Sequence, residues 1–172
     1  MNKAFVEKNE VLMLTTVGLL IGLAVVFRGL LGIMVTDAFR LSFEFLPIAI
    51  VAIKFGPWKA GTAAMIADLV AFWIFPRGTF FPGFTFTAFL MGAAYGLFLR
   101  KNPTKIINIT LAAIIVVVFI QLGLESLWLS IISGVPYPAM VAGRILRTVI
   151  MLPLQIVFIK FAAEAAKRIK LI

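Results

Sequence analysis

Five ionisable side chains stand inside apolar runs of this chain: Glu44, Asp68, Glu125, Arg144 and Arg147. A charge at bilayer depth costs roughly 2.5–3.5 kcal/mol unless it faces protein or water, so each needs a partner or a cavity. Glu125 and Trp128 are three residues apart and share a helix face, with Gln121 one turn earlier. A carboxylate beside an indole suits a planar heterocycle with adjacent amino and ring N–H donors. Two parallel charge-assisted hydrogen bonds would contribute about 1.5–3 kcal/mol each, and stacking roughly 0.5–1.5 kcal/mol more. The same spacing also describes a tryptophan in the interfacial belt with a glutamate reaching for water. Arg144 and Arg147 repeat the i, i+3 spacing just after Pro136-Tyr137-Pro138, so their guanidinium groups can converge on one anion or one buried acid. Asp68 lies in Ala63-Ala64-Met65-Ile66-Ala67-Asp68-Leu69, whose small residues allow close helix approach and aim the carboxylate into a bundle. Its partner is an arginine of the last apolar segment or a ligand.

The connector Phe75-Pro76-Arg77-Gly78-Thr79-Phe80-Phe81-Pro82-Gly83-Phe84-Thr85 is the other candidate. A linker needed for solubility alone would be Ser, Asn, Asp and Lys, whereas four Phe, two Pro and one Arg make a pocket wall or lid. Arg28 and Arg77 can complete a cationic rim with the paired arginines. The absence of Cys and His removes disulfides, thiolate chemistry, haem ligation and the usual zinc sites. No G-x-x-x-x-G-K-[ST] loop occurs, so any pumping must be powered by an ion gradient or by another subunit.

The elements that must position these residues are membrane helices. With 63% apolar and 13% charged residues in 172 and a mean hydropathy of +1.13, the chain has more apolar surface than a globule of this size can hide. Six segments, about 11–30, 41–55, 60–75, 84–99, 106–132 and 139–166, are long enough or nearly so to cross a bilayer. The second and third are short, as helices flanked by protein can be. The chain therefore reads as an all-α, six-helix membrane bundle forming one domain over residues 1–172. The first segment lacks a small-residue cleavage site and is expected to stay as a helix.

The net charge of +9 does not imply nucleic acid, because Lys and Arg fall between the apolar segments and not along one face. With both termini in the cytoplasm, eleven cations from Lys3 to Lys170 fall inside, nine of them lysine. Arg28, Arg40, Arg77, Arg144 and Arg147 fall in the outer half. Lysine serves topology; arginine serves bidentate recognition of carboxylate or phosphate. Gly18 and Gly22, continued by Ala24, form a small-residue seam on the first helix where a partner helix could pack.

The order of motifs resembles a known family. Leu46-Pro47-Ile48-Ala49-Ile50, Phe55-Gly56-Pro57, Ala67-Asp68-Leu69, Phe80-Phe81-Pro82-Gly83-Phe84-Thr85, Gly92-Ala93-Ala94-Tyr95-Gly96-Leu97, Leu127-Trp128-Leu129 and Arg144-Ile145-Leu146-Arg147 look like the substrate-binding subunit of energy-coupling factor (ECF) vitamin transporters. The wording is most similar to its folate-specific members. The resemblance implies a six-helix subunit that binds its vitamin at the outer face and has no catalytic residue or cofactor of its own. Its implied partners are a transmembrane coupling subunit (EcfT), met through the first helices, and two ATPases (EcfA and EcfA′). For folate it implies a pterin edge on Glu125, rings among Trp128, Phe80, Phe81 and Phe84, and tail carboxylates on Arg28, Arg77 or Arg147. Arg144 would lie nearer the ring and Asp68, with Gln121 and Tyr137 completing the set. Thiamine, a cation, would want an arginine-poor pocket; riboflavin would leave the arginines idle; pantothenate has no ring to stack. A stand-alone ion-coupled carrier and a membrane enzyme built on Asp68 and Glu125 are the rivals from other classes.

Overall fold

The computed structural model describes residues 3–30, 33–36, 39–76 and 78–168. Six helices follow one another: α1 (Lys3–Gly29), α2 (Phe45–Phe55), α3 (Pro57–Ile74), α4 (Pro82–Leu99), α5 (Ile106–Ser133) and α6 (Tyr137–Arg168). Four of them contain stretches long and apolar enough to span a membrane; α2 and α3 do not. At 1.5 Å per residue the 11 residues of α2 reach about 16 Å. Phe45, Pro47, Ile48, Ala49, Val51 and Ala52 are all buried, so α2 is walled by protein and its short length leaves little backbone to lipid.

One departure from the all-helical expectation lies between α1 and α2. Strand β1 (Ile33–Thr36) pairs antiparallel with β2 (Phe39–Leu41), with Ile33 opposite Leu41 and Met34 opposite Arg40. The helix expected from residue 41 therefore starts at Phe45, after a turn in which Leu46 N–H bonds to Phe43 O at 3.0 Å. Apolar content alone cannot separate a short strand from the first turn of a helix.

Glycine and proline set the other boundaries. Gly56 ends α2 at φ +88°, with its N–H on Ala52 O, and Pro57 opens α3 at a position where a missing N–H costs nothing. Extended Phe81 precedes Pro82, which opens α4. Gly134, left-handed at φ +72°, stops α5 before Pro136.

Helices α3 and α4 make the closest pair. A Cβ added at Gly92 would overlap Ala60 O, and one at Gly96 would overlap Pro57 Cα, so here backbone packs directly on backbone. On α1, Val17, Leu20, Ile21, Ala24 and Val25 face the core at helical spacing, and Arg28 continues that stripe to the end of the helix. Gly18 and Gly22 lie on the exposed side, with no atom within 4 Å of an added Cβ. Ala24 does not extend that seam. Two residues advance a helix by about 200°, which turns Ala24 away from Gly22 and into the core at 1% exposure.

The up-and-down course of the six helices brings the loop after α2 and the loop after α4 to one end of the bundle, with the end of α6. Arg100 lies against Gly56, and Lys167 Nζ donates to Thr104 Oγ1 at 2.9 Å. The other end of the bundle is formed by the ends of α1, α3 and α5 and the starts of α2, α4 and α6.

Candidate functional site

At that other end the six helices enclose a cavity of about 570 Å³. Each contributes to its wall: Arg28 from α1, Ile48 from α2 with Ser42 and Glu44 just before it, Asp68 from α3, Phe84 and Met91 from α4, Glu125 from α5, and Met140, Arg144 and Arg147 from α6. Small residues Ala64, Ala67 and Ala88 leave the volume open between them. A site of this size, mostly apolar with a few convergent polar groups, is what a small organic molecule requires.

The charges form two clusters. Arg28 Nη1 lies 2.5 Å from Asp68 Oδ1 and 3.4 Å from Glu44 Oε2. Thr85 Oγ1 donates to Asp68 Oδ2 at 2.8 Å, so both oxygens of this buried carboxylate are engaged. In the second cluster Arg144 Nη2 donates to Glu125 Oε2 at 2.7 Å, and its Nη1 to Gln121 O at 3.0 Å and Ser126 Oγ at 3.1 Å. Arg147 Nη1 stands 3.7 Å from the same Glu125 oxygen.

The backbone of α5 prepares the second cluster. Residues Ile115–Leu124 are π-helical, and Glu125 N–H bonds five residues back to Ile120 O. Where four-residue spacing resumes, the ladder steps over one carbonyl, and Gln121 O is available to Arg144. A polar side chain from α6 thereby holds an irregular turn of α5, next to the cavity.

The structure brings six of the expected residues to one cavity: Arg28, Asp68, Phe84, Glu125, Arg144 and Arg147. The other expected contacts fall elsewhere. Gln121 points its amide at Met91 Sδ, 3.9 Å away, and joins Arg144 through its carbonyl instead of its side chain. Trp128 packs on Phe81 at 5.5 Å between ring centroids and not on the cavity beside Glu125. The π-helical turn of α5 ends at Leu124 and so breaks the regular spacing between Gln121 and Glu125, whereas Glu125 and Trp128 share the α-helical stretch that follows it. Phe80 packs on Phe72 at 5.2 Å, and Tyr137 is exposed at the start of α6. Arg77 lies outside the described residues. The ion pairs also differ from the expected ones: Asp68 is bound by Arg28 of α1 and not by the last helix, while Arg144 is bound by Glu125.

Sequence reasoning missed Ser42, Thr85, Thr87, Met91 and Met140 as parts of the site or its support. Thr85 was visible only as the last residue of the aromatic connector. Glu44 was visible as a charge in an apolar run, without a role.

Comparison with known proteins agrees with this architecture. Residues 12–168 match the model of the family described as ECF transporter, substrate-specific component. A folate transporter FolT of Clostridium novyi is 32% identical over 152 residues, covering 88% of each chain. A folate transporter FolT of Leuconostoc mesenteroides is 28% identical over 127 residues, covering 70% of this chain and 69% of its own. Among solved structures, a crystal structure of FolT bound with folic acid superposes with a TM-score of 0.80 at 35% identity, covering 88% of this chain and 90% of that one. This multi-pass membrane protein thus belongs to the substrate-specific components of ECF transporters.

Proposed function

We propose that this protein is the folate-capturing subunit of an ECF-type importer. It binds the vitamin in the cavity at the outer face, with both termini cytoplasmic, and delivers it together with EcfT and the ATPases EcfA and EcfA′. The observation that carries this reading is the cavity itself: three guanidinium groups, three carboxylates and Phe84 surround one largely apolar volume of about 570 Å³. Folate is a planar heterocycle with an N–H donor edge, an aromatic linker and an anionic tail, and each part has a chemical counterpart there. The FolT relatives and the likeness to a folic acid complex support the same ligand.

The orientation is supported by the cations. Lys54, Lys59, Arg100, Lys101, Lys105, Lys160 and Lys167 belong to the end of the bundle that holds the termini, while the arginines of the cavity lie at the other.

Purified protein in detergent, titrated in parallel with folate, riboflavin, thiamine and pantothenate, tests the ligand. Trp128 packs against Phe81 and Gly83, beside the start of α4 where Phe84 enters the cavity, so folate is expected to quench its emission saturably with one site per chain. Saturation by another vitamin alone would overturn the folate reading. Delivery is tested in liposomes: uptake is expected only with the coupling subunit, the ATPases and ATP, and uptake by the chain alone under an ion gradient would restore the stand-alone carrier.

A further inference from the structure

Helices α2 and α3 both fall short of a membrane span, and burial explains only the first. Helix α3 turns a continuous stripe outward: Trp58, Thr62, Ile66, Val70 and Trp73 recur at helical spacing and are all exposed. A tryptophan stands at each end, 76% exposed at Trp58 and 79% at Trp73, and Lys59 adjoins the first. Each indole lies against an aromatic neighbour, Trp58 against Phe89 at 6.1 Å and Trp73 against Phe72 at 6.5 Å between ring centroids. Indoles at the two edges of an apolar strip, one of them beside a lysine, mark the level of the lipid headgroups.

Those two levels are close together. Trp58 and Trp73 are 15 residues apart, about 22 Å along the axis, and all 18 residues of α3 reach only about 27 Å. The hydrocarbon core of a bilayer is about 30 Å thick. Tilting shortens the projection of a helix and so widens the gap. Helix α1 is tied to α3 at both ends and gives the same height: Lys59 Nζ lies 2.7 Å from Met13 Sδ, and the Phe75 ring occupies the place a Cβ of Gly29 would take. Met13 to Gly29 and Lys59 to Phe75 are each 16 residues, about 24 Å. Helix α6 does not touch α3 among the described residues and is built to another height. From Tyr137 to Lys160 it runs 23 residues, about 35 Å, with Leu146, Val149 and Val157 exposed between them.

We propose that the exposed face of α3 is a lipid-selecting surface: short-chain phospholipids collect on it, and the bilayer is thinner along α3 than along α6. A bilayer of full thickness would draw the turn after Ile74, where the helical ladder has ended, into hydrocarbon and leave its backbone unpaired. Lipid is favoured over a protein partner by the shape of the stripe. Small residues mark helix contacts in a membrane, and those of α3, among them Ala60, Gly61, Ala64 and Ala67, are buried in the bundle. The outward stripe is left with bulky side chains and two projecting indoles.

The test uses the full chain in mixed bilayers of phosphatidylcholines with 14-carbon and 22-carbon monounsaturated chains, one of the two brominated to quench tryptophan. Trp58→Phe combined with Trp128→Phe leaves Trp73 as the reporter on α3, and Val149→Trp with all three natural tryptophans changed to Phe puts the reporter on α6. The 14-carbon lipid is expected to be favoured about threefold or more at Trp73 and by less than about 1.5-fold in the Val149→Trp protein. If the tryptophan-depleted chains do not fold, Ile66→Cys and Val149→Cys make the same comparison through an attached dye that bromine quenches, since the natural chain has no cysteine. Equal preference at the two reporters would overturn the uneven bilayer. Emission at the α3 reporter that neither brominated lipid quenched would overturn the lipid surface and show that protein, such as a second copy of the chain, covers the stripe.

Discussion

Helices α3 and α4 run side by side from the end of the bundle that holds Gly56 and Arg100 to the cavity, and their two halves, an inner one away from the cavity and an outer one beside it, are made of different material. The inner half is Pro57, Ala60 and Gly61 against Gly92 and Gly96, where backbone meets backbone. The outer half holds Asp68 and Thr85 hydrogen-bonded to each other, with Phe84 on the cavity wall. Close contact at one end and charged, spaced side chains at the other separate two tasks along one helix pair. The inner half fixes the relation of the helices, and the outer half uses it to place a carboxylate.

If that division holds, the largest effect comes from the inner half. Gly96→Val would drive a branched side chain into the backbone of Pro57, which cannot move aside as a flexible side chain could. Overpacking costs typically about 1–3 kcal/mol, and a backbone clash more. The expected outcome is loss of monodisperse protein in size-exclusion chromatography; a variant that ran and melted like wild type would show that the α3–α4 contact is looser than described. Arg144→Ala comes next. Removing one partner of a buried pair costs roughly 3–5 kcal/mol, and less here because Glu125 is a quarter exposed. Gln121 O and Ser126 Oγ lose their donor as well, so both the thermal midpoint and folate affinity should fall.

The two halves also differ in how legible they were. The bundle could be read from hydropathy and from Gly-Pro punctuation, because lipid forces backbone satisfaction within each segment and leaves helices as the solution. Six charged or aromatic wall residues could be read too, since a charge in an apolar run must find company. Their pairing could not. Asp68 met Arg28 and Arg144 met Glu125 through the relative rotation of four helices, and nothing local to either residue encodes that. Gln121 departs from the face of Glu125 for a more specific reason: spacing arguments assume 3.6 residues per turn, and α5 leaves that period from Ile115 to Leu124. Ala24 was misread because a run of small residues was followed along the sequence and not around the helix.

A smaller pair of substitutions sharpens the contrast between the halves. Thr85→Val keeps the shape at the buried site but removes the hydroxyl from Asp68. Hydrogen bonds to charged groups contribute about 1.5–3 kcal/mol, so stability should drop by about that much or less. With Asp68 freed to compete for Arg28, folate affinity should change as well. Tyr95→Phe removes a hydrogen bond of 2.7 Å to Gln155 between α4 and α6, deeper in the bundle and away from the cavity wall. It should cost roughly 1–2 kcal/mol, since Gln155 Nε2 already lacks a partner and its Oε1 would be left unpaired too. Affinity should stay within about twofold of wild type. Thermal melts and titrations on the same preparations check both variants. A Tyr95→Phe protein that lost affinity as strongly as Thr85→Val would join the two halves into one unit.

The smallest effect on the isolated chain is expected at Gly22, which belongs to neither half. An added side chain there meets no atom within 4 Å, so Gly22→Leu should shift stability by less than about 0.5 kcal/mol. Folate binding in detergent should be unchanged, because Arg28 lies on the opposite stripe of α1 together with Val17, Ile21 and Ala24. In liposomes holding the coupling subunit and the ATPases, the same variant should lose most of its uptake if the coupling subunit packs a helix on the exposed face of Gly18 and Gly22, because a leucine would block close approach there. Uptake at the wild-type rate would move the partner surface off this face of α1. Loss of binding in detergent would instead mean that both faces of α1 communicate, and that the helix carrying Arg28 is less firmly seated than its core stripe implies.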